Sequence, residues 1–135
     1  MSEKPPVTLD LTWDADLRFS GSSAGIPFVL DSSSKAGLAP MQALAAGLAG
    51  CMAMDVVHIL RKGRHDLNGL KMHLVGRRAG EAPRRFVAID LEFQITGPVP
   101  VDQVERAIQL SRETYCSVWA SMRQDIEFNV TAKIV

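Results

Sequence analysis

The sequence predicts one α+β domain, residues 1–135, with antiparallel sheets around a buried central helix. Three observations predict it. Strand-like alternations come in groups, with three short ones before residue 31, two longer ones between residues 70 and 96, and one near the C-terminus. Ala36–Met54 carries no charge and reads as helix. The strands succeed one another as hairpins rather than as βαβ units.

Val7, Leu9, Leu11 and Trp13 alternate with Thr8, Asp10 and Thr12, a period of two that predicts a half-buried strand over 7–13. Asp14–Asp16 makes a turn. Leu17–Ser20 and Ile26–Leu30 are the second and third strands, and the serine-rich Asp31–Gly37 is a loop. Leu38–Gly63 is the long helix. Pro40 suits its first turn, where an N–H would lack a partner anyway. Arg61, Lys62 and Arg64 suit its negative end, and Gly63 is the expected stop. With almost no polar face before Asp55, this helix needs cover on every side, from a second sheet or a second subunit.

Leu70–Arg78 and Phe86–Thr96 are two longer strands joined by the loop 77–85. Val101–Thr114 is an amphipathic helix, with Val104, Ala107, Ile108 and Ser111 on one face and Asp102 and Glu105 in its first turn. Ile126–Ile134 closes the chain as a strand. The order is βββ-α-ββ-α-β.

Composition excludes several classes. Apolar residues are 47% and charged residues 22%, values of a folded soluble domain and not of a disordered chain. Fifteen basic and fifteen acidic residues cancel, which argues against a nucleic-acid partner. The Arg77-Arg78 and Arg84-Arg85 doublets read as a solvated loop or an anion patch without interleaved aromatics. Two cysteines fit neither a disulfide scaffold nor a four-thiolate zinc site. The opening Met-Ser-Glu-Lys-Pro-Pro lacks a signal peptide's apolar core, so the expected compartment is the reducing cytoplasm, with both thiols free. Ala36–Met54 is rich in Ala and Gly, is interrupted by Pro40 and Gln42, and runs into Asp55, so a buried helix is expected and no membrane span.

The chemistry concentrates on Cys51 and Cys116. Cys51 sits mid-helix among Ala45, Ala46, Gly47, Ala49, Gly50 and Ala53, small residues that suggest close approach to the sulfur. It also suits a small packing residue. Asp55, four residues on, shares its face and opposes a thiolate, so an active Cys51 needs a cation from elsewhere. His58 is seven residues on, about 10 Å by helical rise, too far for a direct pair. A metal site from Cys51, Asp55 and His58 would need further ligands that the sequence does not supply. Cys116, beside Tyr115 and Trp119, reads equally as a buried thiol.

Gly37-Leu38-Ala39-Pro40-Met41-Gln42-Ala43-Leu44, continuing through Ala45–Cys51 to Asp55-Val56-Val57, resembles the first cysteine helix of the OsmC/Ohr family of thiol-dependent hydroperoxide reductases. Tyr115-Cys116-Ser117-Val118 resembles its second cysteine motif, and the element order agrees over nearly the whole chain. The resemblance implies an intertwined homodimer with interfacial sites and two buried central helices. It implies that Cys51 attacks an organic hydroperoxide, that Cys116 resolves the sulfenic acid as a disulfide, and that a small dithiol or protein thiol restores both. It calls for no cofactor and no metal. The apolar surroundings of Cys51, with Met41 and Met54, suit a hydrophobic peroxide, and Gln42 would bind substrate or the thiolate's partner, or cap the helix. The Ohr branch places a Glu immediately after the proline; here that position is Met41. Arg18 is the nearest candidate for the family's activating Arg. The alternative is a non-catalytic module of the same fold that binds a hydrophobic ligand or senses redox state.

Overall fold

The structure is a computed structural model that describes residues 4–135; residues 1–3, on which the expectation of no signal peptide partly rests, lie outside them. The elements run β1 (Asp10–Ala15), β2 (Arg18–Ser23), β3 (Ile26–Asp31), α1 (Pro40–Lys62), β4 (Gly69–Arg78), β5 (Phe86–Thr96), α2 (Val101–Leu110), a π-helical turn (Ser111–Tyr115), α3 (Ser117–Ala120) and β6 (Glu127–Ile134). Two compact units divide within α1, one ending at Leu44 and one spanning Ala45–Val135.

In the first unit β1, β2 and β3 form an antiparallel meander. Ala24 and Gly25 both take positive φ, 51° and 78°, the twist that a two-residue hairpin between right-twisted strands requires. The half-buried strand expected over 7–13 begins only at Asp10, and all six residues of β1 are exposed. The alternation does set Leu11 and Trp13 on one face, but that face is open in the single chain. β3 ends on Asp31, which is buried. Its carboxylate accepts the N–H of Ser33 and of Ala36, each at 3.0 Å, and the Ser33 hydroxyl at 2.8 Å, folding the serine loop back toward α1. The first turn of α1 is capped by Gln42, whose Oε1 accepts the Ala39 N–H at 2.9 Å and the Ser34 hydroxyl at 2.7 Å.

The second unit holds most of the core. β5 lies between β4 and β6. Its Phe86, Ala88, Ile89, Leu91, Phe93 and Ile95 are buried, while Asp90, Glu92 and Gln94 on the face opposite Ile89, Leu91, Phe93 and Ile95 are half-buried. β4 pairs antiparallel with β5, as expected from the hairpin. β6 pairs parallel to β5, which departs from the all-antiparallel expectation: the chain returns through α2, and a helical crossover delivers the next strand in the same direction. Val104, Ala107 and Ile108 of α2 are buried, the face that its pattern announced.

Helix α1 buries one stripe, Leu48, Met52, Val56 and Leu60, at intervals of four. It is long and apolar enough to cross a membrane by length and composition, but this stripe is packed in protein. Its other faces are half-buried or exposed, with Met54 74% exposed. Cover on all sides, expected from its composition, is therefore incomplete in the single chain. The close approach expected at Gly47 and Gly50 is absent too: among the described residues nothing lies within 4 Å of a Cβ placed on either. The left-handed closure of the helix falls one residue beyond the expected Gly63. Arg64 takes φ 62°, its N–H donates to the Arg61 carbonyl, and the His65 N–H donates to the Leu60 carbonyl, both at 3.0 Å. This is a Schellman closure with Arg in the place that glycine usually fills.

Candidate functional site: a cysteine pair between α1 and a π turn

The site is built within the second unit. Cys51 is half-buried on α1. Cys116 succeeds the π turn and is buried, 3% exposed. The helix expected to continue to Thr114 leaves α geometry at Ser111: the Cys116 N–H reaches back five residues to the Ser111 carbonyl at 2.7 Å. A π turn inserts an extra residue per turn and so redirects the chain beyond it, and such turns recur at functional sites. Cys116 then adopts an extended backbone, φ −72° and ψ 100°, and serves as N-cap of α3, its Sγ accepting the Trp119 N–H at 3.3 Å. Trp119 packs on Phe128 at 4.4 Å between ring centroids, and the Arg112 guanidinium lies 4.8 Å over the same ring, which pins the segment to β6.

The two cysteines, 65 positions apart, are side-chain neighbours. Burial pushes the Cys116 thiol up to about 11; hydrogen bonding and charge from Cys51 push the same way, against the Trp119 and Val118 N–H groups that favour the thiolate. Cys116 therefore keeps its proton at neutral pH. Both thiols are free.

Ser111 is visible in the sequence only as one position on the apolar face of the helix expected over Val101–Thr114. It is fully buried, and its hydroxyl donates to Asp55 Oδ2 at 2.7 Å. A serine at a core position of an amphipathic helix is the signal that points to such a bond, because a buried hydroxyl needs a partner. The same bond engages the carboxylate that the metal alternative required. Among the described residues no three His, Cys, Asp or Glu side chains gather as a metal site.

The other sequence candidates are spread over both units. Met54 is exposed and lines an apolar cleft of about 700 Å³ with Ala53, Val57, Leu70 and Met72, while His58 reaches both this cleft and a second one of about 640 Å³ that includes Asp55, Lys62, Arg106 and Tyr115. Cys51 lines neither cleft. In the first unit, Met41 is half-buried in the first turn of α1, and the Gln42 carbonyl oxygen is committed to the helix cap. Arg18 stands directly across from Asp31, with Nε 3.6 Å from Oδ2, too long for a hydrogen bond. That Nε is buried without a hydrogen-bond partner.

A half-buried cysteine on α1 and a buried one just past the π turn thus stand on an α+β fold. The model of the OsmC-like protein family matches residues 32–131, and the chain belongs to that family. It is 37% identical over 126 residues to Protein YhfA of Escherichia coli K12, covering 91% of this chain and 94% of that one. Among solved structures, a hypothetical protein from Aquifex aeolicus VF5 superposes with a TM-score of 0.91 at 25% identity, covering 98% of both chains. An organic hydroperoxide resistance protein OsmC from Legionella pneumophila superposes with a TM-score of 0.72 at 14% identity, covering 98% of this chain and 99% of that one, a likeness of fold.

Proposed function

We propose that this chain is a thiol-dependent peroxidase that reduces organic hydroperoxides, with Cys51 as the attacking sulfur and Cys116 as the resolving one. The observation that carries the reading is that Cys51 lies near enough to the buried Cys116 to help hold its thiol protonated. Membership of the OsmC-like family and the shared fold of an organic hydroperoxide resistance protein support it.

The Cys51 thiolate attacks the distal peroxide oxygen, the O–O bond breaks, and the leaving alkoxide takes a proton to become the alcohol; Cys51 becomes a sulfenic acid. The Cys116 sulfur attacks Cys51, the S–O bond breaks, and water leaves with the Cys116 proton, forming the disulfide. A small dithiol or protein thiol then returns two electrons and two protons, leaving as its own disulfide. Met54 lines an apolar cleft that suits an alkyl group, with Cys51 outside its lining. Arg18, which pairs with Asp31, is the candidate cation of this reading, and Gln42 keeps its amide N–H₂ for substrate after capping α1 with its oxygen. The working form is a cytoplasmic homodimer, in which the open faces of α1 and the space at Gly47 and Gly50 receive the second copy.

The pairing of Arg18 with Asp31, and Met41 where the Ohr branch has Glu, favour a second reading: a non-catalytic module that holds a hydrophobic ligand. Turnover of cumene hydroperoxide with dithiothreitol or dihydrolipoate decides between them. The peroxidase reading expects consumption by the wild type and none by Cys51→Ser with the fold intact. No consumption by the wild type, with lipid recovered from the purified protein, supports the second.

A further inference from the structure

We propose that Ser111 and Asp55 are positioning residues whose hydrogen bond latches the π turn to α1 and thereby sets the distance between the two sulfurs. The inference rests on the reading of Cys51 and Cys116 as a redox pair, and it names the groups that hold the pair together.

Four links close a ring. Cys51 and Asp55 are one turn apart on α1, about 6 Å of rise. Asp55 Oδ2 accepts the Ser111 hydroxyl at 2.7 Å. The Ser111 carbonyl accepts the Cys116 N–H at 2.7 Å. Cys116 meets Cys51. Ser111 thus uses its side chain to hold α1 and its main chain to hold Cys116, and no loop intervenes in the ring. Ser111 is fully buried. An alanine there would fill the space without the cost of desolvating a hydroxyl, so packing alone gives no reason for serine. What the hydroxyl adds is direction: one hydrogen bond fixes the register of the π turn along α1. A hydrogen bond to an ionised acceptor is also the stronger kind. The bond draws on Asp55, which by charge alone disfavours a Cys51 thiolate, and this gives the carboxylate a use that outweighs that drawback.

The test needs no peroxide. The reduced full-length protein is oxidised with diamide, which takes two electrons and two protons from the thiols as the S–S bond forms and becomes the hydrazine. The dithiol–disulfide equilibrium is then measured against glutathione buffers in the wild type, Ser111→Ala, Asp55→Ala, Asp55→Asn and the double alanine variant. Ser111→Ala and Asp55→Ala each lower the equilibrium constant for disulfide formation by about tenfold, the worth of one hydrogen bond to a charged group. Asp55→Asn, which keeps an acceptor oxygen but not its charge, falls between the wild type and the alanine variants, and the double variant is no worse than either single one, because both remove one bond. A role in stability alone would lower the melting temperature and leave this constant in place. Alanine variants whose constants match the wild type overturn the proposal while leaving the peroxidase reading standing. A wild type that cycles with glutathione, responds to the latch variants, but consumes no hydroperoxide upholds the latch and removes the peroxidase reading. A wild type in which diamide forms no Cys51–Cys116 bond removes both.

Discussion

The Cys116 sulfur accepts the backbone N–H of Trp119 at 3.3 Å, so the cysteine that lies deepest also begins a helix. Its thiol is nonetheless held protonated, because burial and the neighbouring Cys51 together outweigh that N–H and the one from Val118. A rise from the ordinary 9.0 to about 11 leaves roughly a hundredth of the usual thiolate at pH 8. Maleimide should therefore label Cys116 far more slowly than a free cysteine peptide at pH 8. The rate should climb as pH approaches 11, as read by peptide mass spectrometry.

The same shift has a sign in stability. A folded value raised above the unfolded one gives stabilisation that is complete below about 9 and lost as pH rises through about 11. Thermal melts from about pH 8 to 11 should fall more steeply for the wild type than for Cys116→Ser.

Asp31 carries the opposite sign. The N–H groups of Ala36 and Ser33, the Ser33 hydroxyl and the Arg18 charge hold its carboxyl well below the usual range. Its contribution is present above the ordinary carboxylate value of about 4 and is lost as pH falls through the lower folded value. Asp31→Ala should lower the melting temperature at neutral pH by a few degrees and flatten the acid limb of the stability curve. An unchanged acid limb would contradict this assignment.

Gln42 caps α1 through one oxygen that accepts two donors. Gln42→Ala should cost about 1 kcal/mol in urea denaturation, and Gln42→Glu, which keeps the acceptor, should recover most of it. Loss of peroxide turnover in Gln42→Ala beyond what the stability change explains would show that its amide also serves the substrate.

Phe93 is fully buried on the central strand β5. Phe93→Ala should cost about 3–5 kcal/mol, as truncation of a core aromatic leaves a cavity. A midpoint shift in urea at constant slope is the expected result.

The strands were legible where alternation and burial coincide. Phe86–Thr96 alternates within the core and is bounded in the structure as the pattern placed it. Val7–Trp13 alternates as clearly, but only its later part pairs, and it is exposed, because periodicity specifies a face and not what covers it. The parallel pairing of β6 escaped, since alternation carries no strand direction and the crossover through α2 supplies it. At the site, the motifs around Cys51 and Cys116 single out both cysteines in the sequence. The end of the second helix is not legible there, because Ser111–Tyr115 has ordinary helical composition and the π turn emerges only from the five-residue hydrogen bond to Cys116. The closure of α1 likewise fell on Arg64 rather than Gly63, since the bond from His65 to Leu60 completes it whichever residue takes the positive φ.

The most direct measurement is a single turnover. One equivalent of cumene hydroperoxide is added to the fully reduced protein without a reductant, and the product peptides and cumyl alcohol are quantified. The account predicts one alcohol per chain and a Cys51–Cys116 disulfide, with Cys116→Ala giving the same alcohol and a Cys51 sulfenic acid. Peroxide left intact with both thiols free would contradict it.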